Sequence, residues 1–189
     1  MQRIAWIAAV LLAVSCSKPV AEPPAPAAPP APGPKPAVKG KKTAASEYLT
    51  YTVPAEWVSE EPANEMRKAQ YRVPDRKGKA GPAILTFFTF GGPAASLESN
   101  VERWREQMGG ADAAISKIQG SACPATLVDL TGGYAGDSGG SPIENARFLG
   151  AIVEAGERTW YLKFVGPADT VSGWKDAYVD MIKGIRPIE

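Results

Sequence analysis

The most chemically suggestive stretch is Gly136-Asp137-Ser138-Gly139-Gly140. A serine set among glycines is the arrangement in which backbone amides can form an oxyanion hole beside a nucleophile. A serine hydroxyl still needs a base to attack at neutral pH. The chain contains no histidine, which excludes Ser-His-Asp and Cys-His systems, imidazole acid/base chemistry and His-ligated metals. A lysine base is the remaining option for a hydrolase built on Ser138. Residues 46–189 hold seven lysines, none adjacent to this loop in the sequence. The plain reading of Thr131–Pro142 is an exposed Gly/Ser loop between strands.

Other reactive side chains are sparse. Cys123 stands alone in the C-terminal part and precedes Pro124, the pattern of a small buried residue at a strand start. Glu98, Glu102 and Glu106 recur every four residues. Such a line offers carboxylates to a cation, but it reads as a solvated helix flank with Arg105 relieving the repulsion. Glu60-Glu61 carries nothing that would split the pair into an acid and a base. No residue set points to a cofactor or a resident metal. Among the aromatics, Trp104 and Trp174 fall in apolar stripes, whereas Trp57 follows a turn and is the one expected to be exposed. The candidate binding surface is therefore Trp57, Gly91, Gly92, Asn100 and Arg103.

The elements that must position these residues are legible from pattern. Tyr48–Val53, Arg67–Val73, Ala83–Phe90, Ala113–Ile118, Ala125–Leu130, Ala146–Glu154 and Thr159–Val165 read as strands from β-branched and aromatic content. Gly-Glu-Arg between the last two predicts a hairpin. Helical period appears twice. Leu97, Val101, Trp104 and Met108 align over 95–108, and Val171, Trp174, Tyr178, Met181, Ile182 and Ile185 over 169–184. Asp169 or Thr170 is expected to cap the second helix, and Gly184 to end it. The order is βββα then ββββα, which predicts an α+β fold on a mainly antiparallel sheet with two helices.

The N-terminal quarter is different material. Arg3 precedes an apolar run, Ile4–Val14, whose eleven residues at about 1.5 Å each are too short for a hydrocarbon core of about 30 Å. The run has the length of a signal-peptide core. Nine of the 18 prolines lie between Pro19 and Pro36. Such a segment cannot bury enough apolar surface to offset chain entropy. In extended form, residues 19–45 would reach on the order of 80 Å at about 3.1 Å per residue. Lys18, Lys35, Lys39, Lys41 and Lys42 against Glu22 make residues 16–45 basic, at +4, while residues 46–189 carry 15 basic and 19 acidic residues, a net charge of −4. An acidic domain is a poor partner for nucleic acid. The basic tether suits anionic headgroups and also keeps a linker soluble.

Four resemblances follow. Leu12-Ala13-Val14-Ser15-Cys16 resembles a bacterial lipobox, although Ala13 stands where leucine is usual. It implies cleavage before Cys16 and lipidation (palmitate among the acyl chains) of a periplasm-facing lipoprotein of the cell envelope. Ser17 after the cysteine implies the outer membrane. Gly136–Gly140 is similar to the nucleophile segment of chymotrypsin-like serine proteases, a family that the missing histidine and the short domain exclude. Tyr51-Thr52-Val53-Pro54-Ala55-Glu56-Trp57 resembles the start of Mog1/PsbP-like domains. Phe90-Gly91-Gly92 with Asn100-Val101-Glu102-Arg103-Trp104 resembles small bacterial lipoproteins and secreted proteins of unassigned function. The expected organisation is a signal peptide over 1–15, a lipidated tether over 16–45 and a layered Mog1/PsbP-like domain over 46–189. The expected function is a non-enzymatic, membrane-tethered binding or assembly module with an envelope protein partner. A hydrolase using Ser138 and a carrier of a small apolar ligand are the alternatives.

Overall fold

The structure is a computed structural model that describes residues 41–45 in backbone, 48–89, 96–136 and 141–188. All belong to one compact unit, Pro36–Glu189. The strands are β1 (Lys41–Ala45), β2 (Leu49–Pro54), β3 (Val58–Glu60), β4 (Arg67–Val73), β5 (Ala83–Thr89), β6 (Ala114–Lys117), β7 (Ala125–Tyr134), β8 (Ile143–Ala155), β9 (Arg158–Pro167) and β10 (Arg186–Pro187). The helices are α1 (Leu97–Gln107) and α2 (Ala168–Lys183). The fold is α+β, with a seven-stranded antiparallel sheet in the order β3-β4-β5-β9-β8-β7-β6 and a small sheet β1-β2-β10.

The chain fills this sheet from both edges. A meander runs from β3 inward to β5; α1 then leads to the opposite edge, and a second meander returns from β6 to β9. The two meet at the centre, where β5 and β9 pair from Ile84↔Val165 to Thr89↔Trp160. The β8–β9 hairpin turns on Gly156-Glu157, with Ala155 opposite Arg158. Gly156 has φ +62°, the left-handed conformation that a tight two-residue turn demands and that glycine adopts without penalty.

Strand alternation divides the interior in two. Leu149, Ala151, Val153, Leu162 and Phe164 point to one face, where Val171, Trp174, Tyr178 and Ile182 of α2 cover them together with Leu49, Tyr51 and Val53 of β2. Phe148, Ile152, Tyr161 and Val165 point the other way, under Trp104 and Met108 of α1. Both helices thus bury one apolar stripe, the sheet lies between them, and period-2 and period-3.6 patterns agree throughout.

Several expectations need correction. The tether does not extend to residue 45: Lys41–Ala45 forms β1 and pairs antiparallel with β2 from Lys41↔Pro54 to Ala45↔Thr50. Backbone hydrogen bonding is indifferent to the polar composition that marked this segment as linker. The Gly/Ser loop is shorter than expected, since β7 continues through Thr131, Gly132 and Tyr134 against Arg147, Ala146 and Ile143, with a bulge between Gly132 and Tyr134. Neither Asp169 nor Thr170 caps α2. The N-cap is Pro167 without a side-chain bond, and the Thr170 hydroxyl instead donates to the Gly81 carbonyl at 2.7 Å. In α1, Ser96 does cap, accepting from the Ser99 amide at 3.1 Å.

Candidate functional site

The α1 face of the sheet holds a cavity of about 350 Å³, at the lower end of the range typical of small-molecule sites. Two cross-strand rows form its floor. In one, Arg67 of β4 lies opposite Phe88 of β5, which lies opposite Tyr161 of β9. In the next, Thr86 lies opposite Lys163, which lies opposite Gly150 of β8. Helix α1 supplies the wall with Arg103, Trp104 and Gln107, and the exposed Met66 lines the cavity beside Arg67.

The helix can approach the floor because Gly150 has no side chain. A Cβ there would lie 2.4 Å from the Trp104 ring, so the indole occupies the room that any other residue would fill. With Trp104 seated, Arg103 and Gln107, four residues apart, both flank the cavity. Asn100 is fully buried. Its side-chain amide donates to the Ser96 carbonyl at 2.8 Å while its oxygen accepts from the Arg103 guanidinium. Asn100 therefore positions Arg103.

Lys163 is the unusual member. It sits on the central strand β9 and is only 5% exposed. Burying an ammonium is costly unless its donors are matched. Lys163 Nζ donates to Tyr134 Oη at 2.7 Å and to Gln107 Oε1 at 3.0 Å, and it lies 4.9 Å from the Tyr134 ring centre. Burial pushes the Tyr161 phenol above its ordinary value, opposed by the positive charge of Arg103. Three cationic side chains from β4, β9 and α1 thus line one cavity beside the Phe88 and Tyr161 rings.

The sequence-derived surface is only partly assembled here. Arg103 lines the cavity and Asn100 holds it; Gly91, Gly92, Cys16 and Ser138 lie outside the described residues. Trp57 does not belong. It is 1% exposed, on the α2 face, with its ring 5.9 Å from Phe164 and 5.8 Å from Trp174. Its amide donates to the Pro54 carbonyl at 3.1 Å. That turn swings the indole inward, so a turn position in sequence became a core position in space. Gly136, at the start of the Gly-Asp-Ser-Gly-Gly run, lines the same cavity as Lys163, while the expectation that no lysine approaches Ser138 falls outside the described residues. Reasoning from sequence passed over Arg67, Phe88, Tyr161 and Lys163. The available signal was a lysine inside the apolar strand Trp160-Tyr161-Leu162-Lys163-Phe164.

Elsewhere, Cys123 is buried with its thiol 3.5 Å from the Ile185 carbonyl. Glu98, Glu102 and Glu106 are exposed, Glu102 pairing with Arg105 at 3.3 Å. No group of three or more potential ligands is placed to hold a metal among the described residues.

No protein-family model matches the chain, and no curated protein matches it. Among solved structures it is similar to a protein from Bacteroides thetaiotaomicron VPI-5482, with a TM-score of 0.46 at 11% identity over 80% of this chain and 49% of that one. The chain spans about half the length of that structure.

Proposed function

We propose that the chain is a membrane-tethered, non-enzymatic binding module of the cell envelope, and that its cavity on the α1 face takes an anionic ligand. One observation carries the ligand reading: Arg67, Arg103 and Lys163 come from three separate elements and line one small-molecule-sized cavity. Lys163 is buried, Arg67 half-buried and Arg103 exposed, and a cation withdrawn from water interacts with an anion more strongly than a surface charge does. The envelope location rests on the apolar run before Cys16 and the proline-rich segment that follows it. Membership of the Mog1/PsbP-like group belongs to the same proposal, supported by the Pro54–Trp57 turn after a strand.

The test has two arms. Labelled palmitate should enter the wild-type chain in bacteria and not Cys16→Ser; a mature form of unmodified peptide mass would contradict the anchor. Millimolar phosphate should raise the melting temperature above that in chloride at matched ionic strength, because a ligand selective for the folded state stabilises it by mass action. The rise should vanish in Arg103→Gln. An equal rise in that variant would remove the anion from the cavity.

A further inference from the structure

We infer that the loop between β4 and β5, residues 74–82, is the face by which the tethered domain rests on an anionic membrane surface; the inference rests on the envelope reading above. The loop reads Pro-Asp-Arg-Lys-Gly-Lys-Ala-Gly-Pro and is held in one shape. The Asp75 carboxylate accepts from the backbone amides of Lys77, Lys79 and Ala80 at 2.9, 2.6 and 2.7 Å. The Pro74 carbonyl accepts from Trp174 Nε1 at 2.7 Å, and the Gly81 carbonyl from the Thr170 hydroxyl at 2.7 Å. Arg76 lies 3.6 Å from the Trp174 ring centre and donates to the Gly173 carbonyl at 3.0 Å, so its guanidinium clamps the loop onto α2. What this clamp presents is Lys77-Gly78-Lys79, exposed at all three residues. Neither lysine forms a side-chain hydrogen bond or ion pair among the described residues, and Lys77 acts on the Asp75 carboxylate only through space.

The tether arrives beside this tip. Lys41, the first residue of β1, pairs with Pro54. The Pro54 carbonyl bonds the Trp57 amide, and the Trp57 ring packs on Trp174, which carries the loop. One turn and one pair of rings thus link the entry point to the loop, and the entering chain brings Lys39, Lys41 and Lys42. Three acids adjoin these contacts in sequence, Glu56, Asp75 and Asp169; the five lysines and Arg76 outnumber them. Residues 46–189 carry a net charge of −4, so an anionic surface repels the domain as a whole and admits it only through a local basic face. The attraction is the summed field of many headgroups and fades within a Debye length of about 10 Å. It calls for a sheet of charge rather than a free phosphate ion. An anchor that already confines the domain lets even a weak attraction set its orientation.

Vesicle co-sedimentation of residues 17–189, which carry neither acyl group nor signal peptide, tests this. At about 0.1 M salt the chain should bind vesicles of equal parts phosphatidylcholine and phosphatidylglycerol and ignore phosphatidylcholine alone. Inorganic phosphate at matched ionic strength should not displace it. Each lysine close to an anionic surface is worth about five-fold in affinity, so Lys77→Gln with Lys79→Gln should weaken binding by about 25-fold. Glutamine keeps the backbone amides that Asp75 uses, so the melting temperature should not move. Lys117→Gln with Lys183→Gln makes the same change in net charge away from the loop and should bind nearly as wild type does. Equal binding to both kinds of vesicle, no binding to either, wild-type binding by the loop variant, equal losses in the two variants, or displacement by phosphate would each overturn the docking face. None of these results touches the anchor, which the palmitate test of Cys16 decides separately.

Discussion

Gly150→Ala is the sharpest perturbation of the site that leaves every charged group in place. A methyl group at this position would lie 2.4, 2.7 and 2.9 Å from three carbons of the Trp104 ring, where carbon atoms normally settle at about 3.5–4.0 Å. The ring must therefore retreat by roughly 1 Å, and it cannot go far, because Trp104 is 3% exposed and packs on Phe148 with ring centres 5.3 Å apart. Overpacking of this kind costs about 1–3 kcal/mol. Replacing a strand glycine returns about 0.5–1 kcal/mol of backbone entropy. The net loss expected is about 1–2 kcal/mol, read as a lower urea midpoint at unchanged slope. Because Arg103 precedes Trp104 on α1, the same change should weaken phosphate binding. In a Trp104→Phe background the penalty of Gly150→Ala should shrink by about 1 kcal/mol, since contacting residues do not add. A Gly150→Ala protein within about 0.5 kcal/mol of wild type, or strictly additive effects, would refute the packing of α1 on β8 described above.

The remaining predictions concern other parts of the molecule. Asp129 of β7 receives Arg147 through both carboxylate oxygens, at 2.9 and 2.6 Å, and Lys175 of α2 at 2.9 Å. Burial alone would raise this carboxyl, but the hydrogen bonds from Arg147 and Lys175 outweigh it and hold it below its ordinary value. A depressed folded-state value stabilises the fold above the unfolded value of about 3.9 and is lost as pH falls through it. Asp129→Asn should thus cost about 1.5–3 kcal/mol at pH 7, and its deficit should narrow below about pH 4; a constant deficit in urea melts down to pH 2.5 would contradict this. A chain starting at Ser46 lacks β1 and should melt at least about 2 °C below one starting at Pro36, roughly 1 kcal/mol for a domain of this size; identical transitions would show that Lys41–Ala45 contributes nothing. A fluorophosphonate probe should leave the purified chain unlabelled, and labelling abolished by Ser138→Ala would promote the hydrolase.

What was legible in the sequence was whatever rests on long periodic runs. The strand Ala83–Thr89 and both helices followed from apolar spacing because each buries one continuous face. Val58–Glu60 and Arg186–Pro187 were not legible, since two- and three-residue strands exist only through their partners. Lys41–Ala45 was hidden by its composition. The site was half legible for a related reason. Arg103 and Asn100 lie on one helix and could be read together. Arg67, Phe88, Tyr161 and Lys163 meet only through the registers of β4, β5 and β9, which local spacing does not encode. Trp57 shows the opposite failure, because the path of its turn, not its position after a proline, decides where the indole goes.

The central claim is that Arg67 and Arg103 line one anion site, and arginine side-chain NMR tests it most directly. The Nε–Hε signals of these two residues, assigned by Arg67→Lys and Arg103→Lys, are followed as phosphate is added at constant ionic strength. Arg76, stacked on Trp174, and Arg158, stacked on Tyr48, serve as internal controls away from the cavity. The account predicts saturable shifts of Arg67 and Arg103 with one shared dissociation constant and flat traces for both controls. Shifts at Arg76 and Arg158 equal to those at Arg67 and Arg103, or no shift at any of the four, would contradict it.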